Sequence, residues 1–90
     1  MNRLPLEIGS VAVSTAGRDQ GRIYAVFQEL DADFVLVVDG KLRSMDRPKK
    51  KRRKHLRATG NVLREMARRL NAGEIVQDHE LRAWLKEEEG

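Results

Sequence analysis

Apolar positions along the chain fall into two regimes. From residue 8 to about residue 57 they come in short clusters with strand character. Val11 and Val13 alternate with Ala12 and Ser14, the period-two pattern of a half-buried strand. The stretch Ala16-Gly17-Arg18-Asp19-Gln20-Gly21 is polar, with glycines four apart, and reads as a loop. Arg22 to Leu30, β-rich through Ile23, Tyr24, Val26 and Phe27, predicts a second strand. Leu30-Asp31-Ala32-Asp33 predicts a tight turn, because Asp hydrogen-bonds its own backbone. Phe34-Val35-Leu36-Val37-Val38 is apolar throughout, as in a strand buried on both faces or built into a small barrel. Asp39-Gly40 is a hairpin signal. A fourth strand is predicted to start near Lys41 and pass Leu42 and Met45, until Pro48, which offers no N–H to a ladder, interrupts it. His55-Leu56 falls in a last short strand or turn. Short strands joined by tight turns point to an SH3-like barrel over residues 1–59, with a basic loop at 47–57.

From Gly60 the period changes. Leu63, Met66, Ala67 and Leu70 follow i, i+3, i+4, i+7, one face of a helix. Asn61 suits its N-cap and Asn71 to Gly73 its stop. Glu65 precedes Arg69 by four, the favourable order for a helical ion pair, and Arg68 and Arg69 sit in the last turn, where the dipole favours cations. A second helix is predicted after Asp78 as N-cap, with Leu81, Trp84 and Leu85 as its apolar stripe and Val76 nearby. Neither helix is long enough to stand alone. Residues 60–90 therefore read as a helical hairpin packed on itself or on the barrel, burying Trp84, with Glu87-Glu88-Glu89 a frayed, solvated end. The fold class is mainly β with an α tail.

Composition narrows the chemistry. Ninety residues suit one small domain and an appendage. The absence of cysteine excludes disulfides, thiol catalysis and zinc–thiolate sites, and two histidines, His55 and His79, make a His-rich metal site a poor reading. No apolar run approaches the roughly 20 residues of a membrane helix. Glu7 breaks the N-terminal apolar stretch before a signal-peptide core forms, so the expected location is the cytoplasm. Ser10, Ser14, Thr15, Ser44 and Thr59 have no adjacent base in a triad pattern, and no P-loop or dinucleotide fingerprint is present. The expectation is a protein that is not an enzyme and that takes no cofactor.

Charge distribution changes the picture further. The chain holds 18 Lys and Arg against 14 Asp and Glu, a net charge of +4. Residues 41–57 hold ten basic residues and one acid, while the segments on either side are net acidic. The densest part is Lys49-Lys50-Lys51-Arg52-Arg53-Lys54. Six adjacent cations repel one another, and a polyanion relieves that repulsion with further gain from counterion release. A solvated charged tail and a nuclear-localisation pattern are the rival readings, and the run's place between predicted strands favours a phosphate-tracking loop. With no protein carboxylate evidently assigned to it, the run is expected to be mobile without its ligand. If about six of its cations met duplex phosphates, the log–log salt slope of binding would be near −5.

The stretch from Ile8 to Val26 resembles a KOW motif, a strand, a glycine-bearing loop and a second strand found in ribosomal proteins and transcription elongation factors. Phe34-Val35-Leu36-Val37, the basic segment and His55-Leu56 extend the likeness to the large-subunit ribosomal protein family numbered fourteen in archaea and eukaryotes. The compact bacterial KOW-domain RNA-binding proteins related to it are the nearest fit. The likeness covers roughly residues 7–60. Arg18-Asp19-Gln20 fills a region where elongation-factor motifs usually carry another glycine, which leaves the ribosomal branch ahead. The resemblance implies an SH3-like barrel that binds ribosomal RNA through Gly17, Arg18, Gly21 and Arg22 in the loop and Arg47 to His55 in the basic segment.

The residues themselves bear two readings each. Gly21 is a turn glycine, a point of RNA approach, or both; Gly17 reads as structural first. Arg18 and Arg22 can donate bidentately to phosphate, or pair with Asp19 as a surface ion pair of little energetic weight. Phe34 and Phe27 read as core, which leaves Tyr24, directly after the loop, as the one candidate for stacking on a base. His55 contacts RNA or caps a strand, Arg57 extends the basic segment, and His79 reads as surface. Asp31 and Asp33 have a metal-like spacing, but two carboxylates in a turn read as turn chemistry. The expected partner is structured RNA, ribosomal RNA or the ribosome, with a monomer when free, no membrane and no small-molecule substrate. The alternative is a protein-interaction module that binds an acidic partner, with Leu81, Trp84 and Leu85 as its docking surface. Nonspecific DNA binding is a third.

Overall fold

Five strands and two helices account for most of the described residues: β1 (Ser10–Ser14), β2 (Ile23–Glu29), β3 (Phe34–Val38), β4 (Lys49–Arg52), β5 (Leu56–Val62), α1 (Arg64–Asn71) and α2 (Asp78–Glu89). The computed structural model describes residues 5–89; Met1 to Leu4 and Gly90, the outermost ends of the expected segments 1–59 and 60–90, lie outside the described residues. The strands form one antiparallel sheet in the order β4-β3-β2-β1-β5. β1 to β4 are a meander, and β5 returns to the free edge of β1, an SH3-like arrangement followed by two helices.

Alternation decides which side chains meet. Ala12, Tyr24, Val26, Val35, Val37 and Leu56 share one cluster with Leu6. β3 and β5 are separated in the sheet by two other strands, so their side chains meet only because the sheet curls on itself. Register shifts supply the extra residues that bend β5, opposite Ser10/Ala12 of β1, and β2, at Val26/Gln28. The opposite face presents Val11, Ala25 and Val38, and the helices cover it with Met66, Leu81 and Leu85, joined by Val76 from the connection between them. Burying Met66, Leu81 and Leu85 contributes roughly 1.5–3 kcal/mol each, which holds helices too short to be stable in isolation. Among the described residues no helix is long and apolar enough to cross a membrane.

Several expectations are corrected. β4 is not the segment from Lys41 past Leu42 and Met45, which is an irregular loop; it is the basic run itself, in register with β3 from Lys49 opposite Val37 to Arg52 opposite Phe34. Asp39-Gly40 opens that longer loop, with the Gly40 and Asp39 N–H groups both donating to the Arg43 carbonyl, and no two-residue hairpin forms. β5 runs on to Val62, past the boundary expected at residue 59. Asn61 lies inside it and donates to Glu88 (2.7 Å), while Leu63 stands at the start of α1 without a side-chain cap. Asp78 spends its carboxylate on the Met45 N–H (2.8 Å), tying the 39–48 loop to α2. Glu87 to Glu89 continue α2 and are not frayed. Trp84 is only half-buried, under the Arg69 guanidinium at 5.7 Å from its ring. The Glu65–Arg69 pair forms as predicted at 2.9 Å, and bonds from Arg68 and Arg69 hold the Glu65 carboxyl down to about 2.

Candidate nucleic-acid interface

The loop between β1 and β2 is built around a buried carboxylate. Asp19 lies within hydrogen-bond distance of the Ser14 hydroxyl at 2.8 Å and accepts from the Tyr24 hydroxyl at 2.7 Å. It also accepts from the ammonium groups of Lys51 (2.7 Å) and Lys49 (3.1 Å). Burial by itself would raise the carboxyl; the hydrogen bonds from Lys51, Tyr24, Ser14 and Lys49 outweigh it and hold Asp19 far below the usual carboxylate range. The same burial, with the Asp19 hydrogen bond and charge, pushes the Tyr24 phenol up. The loop backbone closes through Gly21 N–H to the Ser14 carbonyl and Arg22 N–H to the Asp19 carbonyl. Asp19 is therefore a structural anchor, not the weak surface partner of Arg18 or Arg22.

This anchor divides the basic run by strand alternation. Lys49 and Lys51 point to the inner face; Lys51 is 7% exposed and belongs to the protein's own core. Lys50 and Arg52 point outward and lie over the Phe34 ring, at 4.4 and 4.9 Å from its centroid. Phe34 is thus a half-exposed platform for cations and not a core residue. Arg53 opens a 3-10 turn, Arg53–His55, and donates to Glu29 and to the Asp31 carbonyl. Arg53 and Lys54 flank a shallow cleft with Ala32 and Asp33. The run is folded, paired to β3 and partly neutralised from within, so the expectation of a mobile, uncompensated loop is overturned. Tyr24, 1% exposed with its hydroxyl committed to Asp19, is unable to stack on a base.

One region does gather cations. A groove of about 440 Å³ lies between the 16–21 loop, the 39–48 loop and the start of β4. Arg18, Arg22, Arg43 and Lys49 line it, with Asp19 and Tyr24 as its floor and Leu42 at its rim. Arg22 approaches Asp39 at 3.4 Å and Lys49 is bonded to Asp19, whereas Arg18 and Arg43 make no ion pair among the described residues. A second groove of about 650 Å³ shares Arg22 and continues over Lys41, Arg82 and Lys86, with Asp39 and Glu89 as its acids. Together the two form one basic face crossing the barrel and α2.

The sequence-derived site is therefore brought together only in part. Arg18, Arg22 and Lys49 meet in the groove, and Gly21 borders its neighbour. Gly17 shapes the loop. Arg47 is exposed in the 39–48 loop, His55 ends the 3-10 turn with its carbonyl taking the Thr15 N–H, and Arg57 is exposed on β5 opposite Val13. Arg47, Arg57 and Lys50 to Lys54 do not line the groove. Lys41, Arg43, Arg82 and Lys86 join the basic face without having been singled out; their cations are visible in the sequence, but only the fold brings them together. Asp31 accepts from the Asp33 and Phe34 N–H groups, both at 2.8 Å, which is turn chemistry. Among the described residues no group of three His, Asp or Glu side chains is placed to hold a metal ion. No protein-family model matches the chain, and no curated protein matches it.

Proposed function

We propose that the protein is a non-catalytic, cytoplasmic RNA-binding protein that uses the basic face around Arg18, Arg22, Arg43 and Lys49 to neutralise phosphates of a structured RNA, ribosomal RNA being the first candidate. The observation that carries this reading is the convergence of those four cations, from three separate segments, on one groove in which Asp19 is the one carboxylate among the described lining residues. The KOW-like stretch from Ile8 to Val26 supplies two of them, Arg18 and Arg22, in the loop through which the resemblance implies RNA contact. A planar guanidinium suits phosphate well, and among the described residues Arg18 and Arg43 pair with no carboxylate.

Binding of a structured RNA measured across a salt series tests this. With about four phosphate contacts, the log–log slope is about −3.5. Replacing Arg18 and Arg43 together by Ala lowers the slope by about 2, whereas replacing Lys50 and Arg52 on the outer face changes it less. Equal effects from the two pairs would reject the groove as the interface. Copurification with and without ribonuclease separates the acidic-partner reading: a protein that stays bound after RNA is digested would replace RNA as the partner.

A further inference from the structure

The basic face contains one residue that phosphate neutralisation does not explain. Leu42 is 70% exposed, among the most exposed of the large apolar side chains. It stands between Lys41 and Arg43 on the 39–48 loop, at the seam of the two grooves, one of which Lys41 lines and the other Leu42 and Arg43. Ile75 is comparably exposed, but it follows Glu74 in the α1–α2 connection and borders neither groove.

The loop that carries Leu42 is held firmly. The buried Asp39 carboxylate accepts from the N–H groups of Lys41 and Arg43, both at 2.9 Å. The Arg43 carbonyl takes the N–H groups of Asp39 and Gly40. Arg82 from α2 donates to the Gly40 carbonyl at 2.6 Å, and Asp78 takes the Met45 N–H. A fixed tip loses little conformational entropy when it meets a ligand. An apolar side chain so presented, flanked by two cations, matches a surface that offers a base or sugar between two phosphates. With Tyr24 sealed under Asp19, the groove has no exposed aromatic to do this.

We infer that Leu42 is the base-contacting residue of this face, packing against an unpaired nucleotide while Lys41 and Arg43 engage the phosphates on either side of it. This rests on the RNA-binding reading and narrows its ligand to helical RNA interrupted by unpaired nucleotides. A regular A-form duplex keeps its bases stacked and its major groove too narrow for side chains, whereas loops and bulges splay bases out.

The experiment compares an uninterrupted RNA duplex with the same duplex carrying a bulge or a hairpin loop, each titrated with the full chain and with Leu42→Ala and Leu42→Trp. The expected result is that the chain prefers the interrupted RNA, that Leu42→Ala weakens that complex about fivefold to tenfold with an unchanged salt slope, and that Leu42→Trp restores or strengthens it. Leu42→Ala binding both RNAs as the parent chain does would overturn the inference while leaving phosphate binding by the groove intact. Failure of the parent chain to bind either RNA, or its capture of an acidic protein in preference to both, would instead remove the RNA-binding reading and this inference with it.

Discussion

The Lys51 ammonium lies 2.7 Å from Oδ1 of Asp19, across 32 positions of sequence, and both side chains are buried. Lysine is rarely buried unless paired, and here the pair joins β4 to the β1–β2 loop. Removing one member of such a pair leaves a desolvated charge behind and typically costs about 3–5 kcal/mol. Asp19→Ala strands Lys51 and releases Lys49 and Tyr24 as well, so chemical denaturation should show the larger loss for that variant. Lys51→Met keeps the volume and leaves Asp19 its remaining three partners, so its loss is smaller. If both variants unfold at the parent midpoint, the buried pair contributes nothing to stability.

Asp19 and Tyr24 link the stability of this cluster to pH. Asp19 has a folded-state pKa depressed below its ordinary 3.8, so its contribution is present above that value and drains away as pH falls below it. Tyr24 has a folded-state pKa raised above its ordinary 10.0, so its contribution is present below that value and is lost as pH rises beyond it. Glu65, held down to about 2 by Arg68 and Arg69 on an exposed helix face, acts in the same acid window with a weaker, solvent-screened effect. Thermal midpoints should therefore be flat near neutrality and fall below about pH 4 and above about pH 10. Asp19→Asn should flatten the acid limb, and an acid limb identical to the parent's would assign it to other carboxylates.

Tyr24 separates structure from binding. Tyr24→Phe removes one charge-assisted hydrogen bond to Asp19 and keeps the ring in the core cluster with Val26 and Val35. The expected cost is about 1.5–3 kcal/mol of stability, read from the denaturation midpoint, with RNA affinity unchanged while the chain stays folded. A folded Tyr24→Phe protein that has lost affinity would return Tyr24 to the interface.

β1 and both helices were legible because their periodicity is local, and β2 and β3 because their β-branched and aromatic content is. The bounds expected for Phe34 to Val38 are those observed. β4 was not legible, because Lys49 to Arg52 carry no hydrophobic alternation; they form a strand because β3 offers a ladder and Asp19 an inward partner for alternate residues. The same long-range carboxylates misled the cap assignments: Asp78 faces the 39–48 loop and Asn61 faces Glu88. Of the site, Arg18 and Arg22 were legible from the glycine-bearing loop. Arg43, Lys41, Arg82 and Lys86 were not, since nothing in a linear charge count distinguishes a cation facing the groove from one facing away.

Six glycines among the described residues have left-handed backbone, and two of them, Gly21 and Gly40, differ in their surroundings. Gly21 has φ +91° and open space where a Cβ would stand, whereas Gly40, at φ +77°, would place a Cβ 2.8 Å from the Asp78 carbonyl oxygen. Gly21→Ala should therefore cost only the backbone term, about 1–2 kcal/mol. Gly40→Ala adds a clash with backbone at the loop–α2 junction and should be the more destabilising of the two by thermal unfolding. The reverse order would mean that the 39–48 loop moves away from α2 at little cost.

Asp39 sets charge counting against preorganisation. Its Oδ1 fixes the backbone of Lys41 and Arg43, and its Oδ2 lies 3.4 Å from Arg22. Asp39→Ala raises the net positive charge of the basic face by one, which on electrostatics alone strengthens RNA binding. It also releases the loop that aims Lys41, Leu42 and Arg43, and ordering those residues on binding then costs about 0.5–1.5 kcal/mol for each side chain immobilised. The second effect is the larger, because one added charge near a solvated surface is screened within about 10 Å at moderate salt. Asp39→Ala should weaken binding of a structured RNA, and Asp39→Asn, whose amide oxygen still accepts from both N–H groups, should bind as tightly as the parent or more tightly. Titrations at low and high salt check this: tighter binding by Asp39→Ala at both would show that the loop's fixed geometry contributes nothing to recognition.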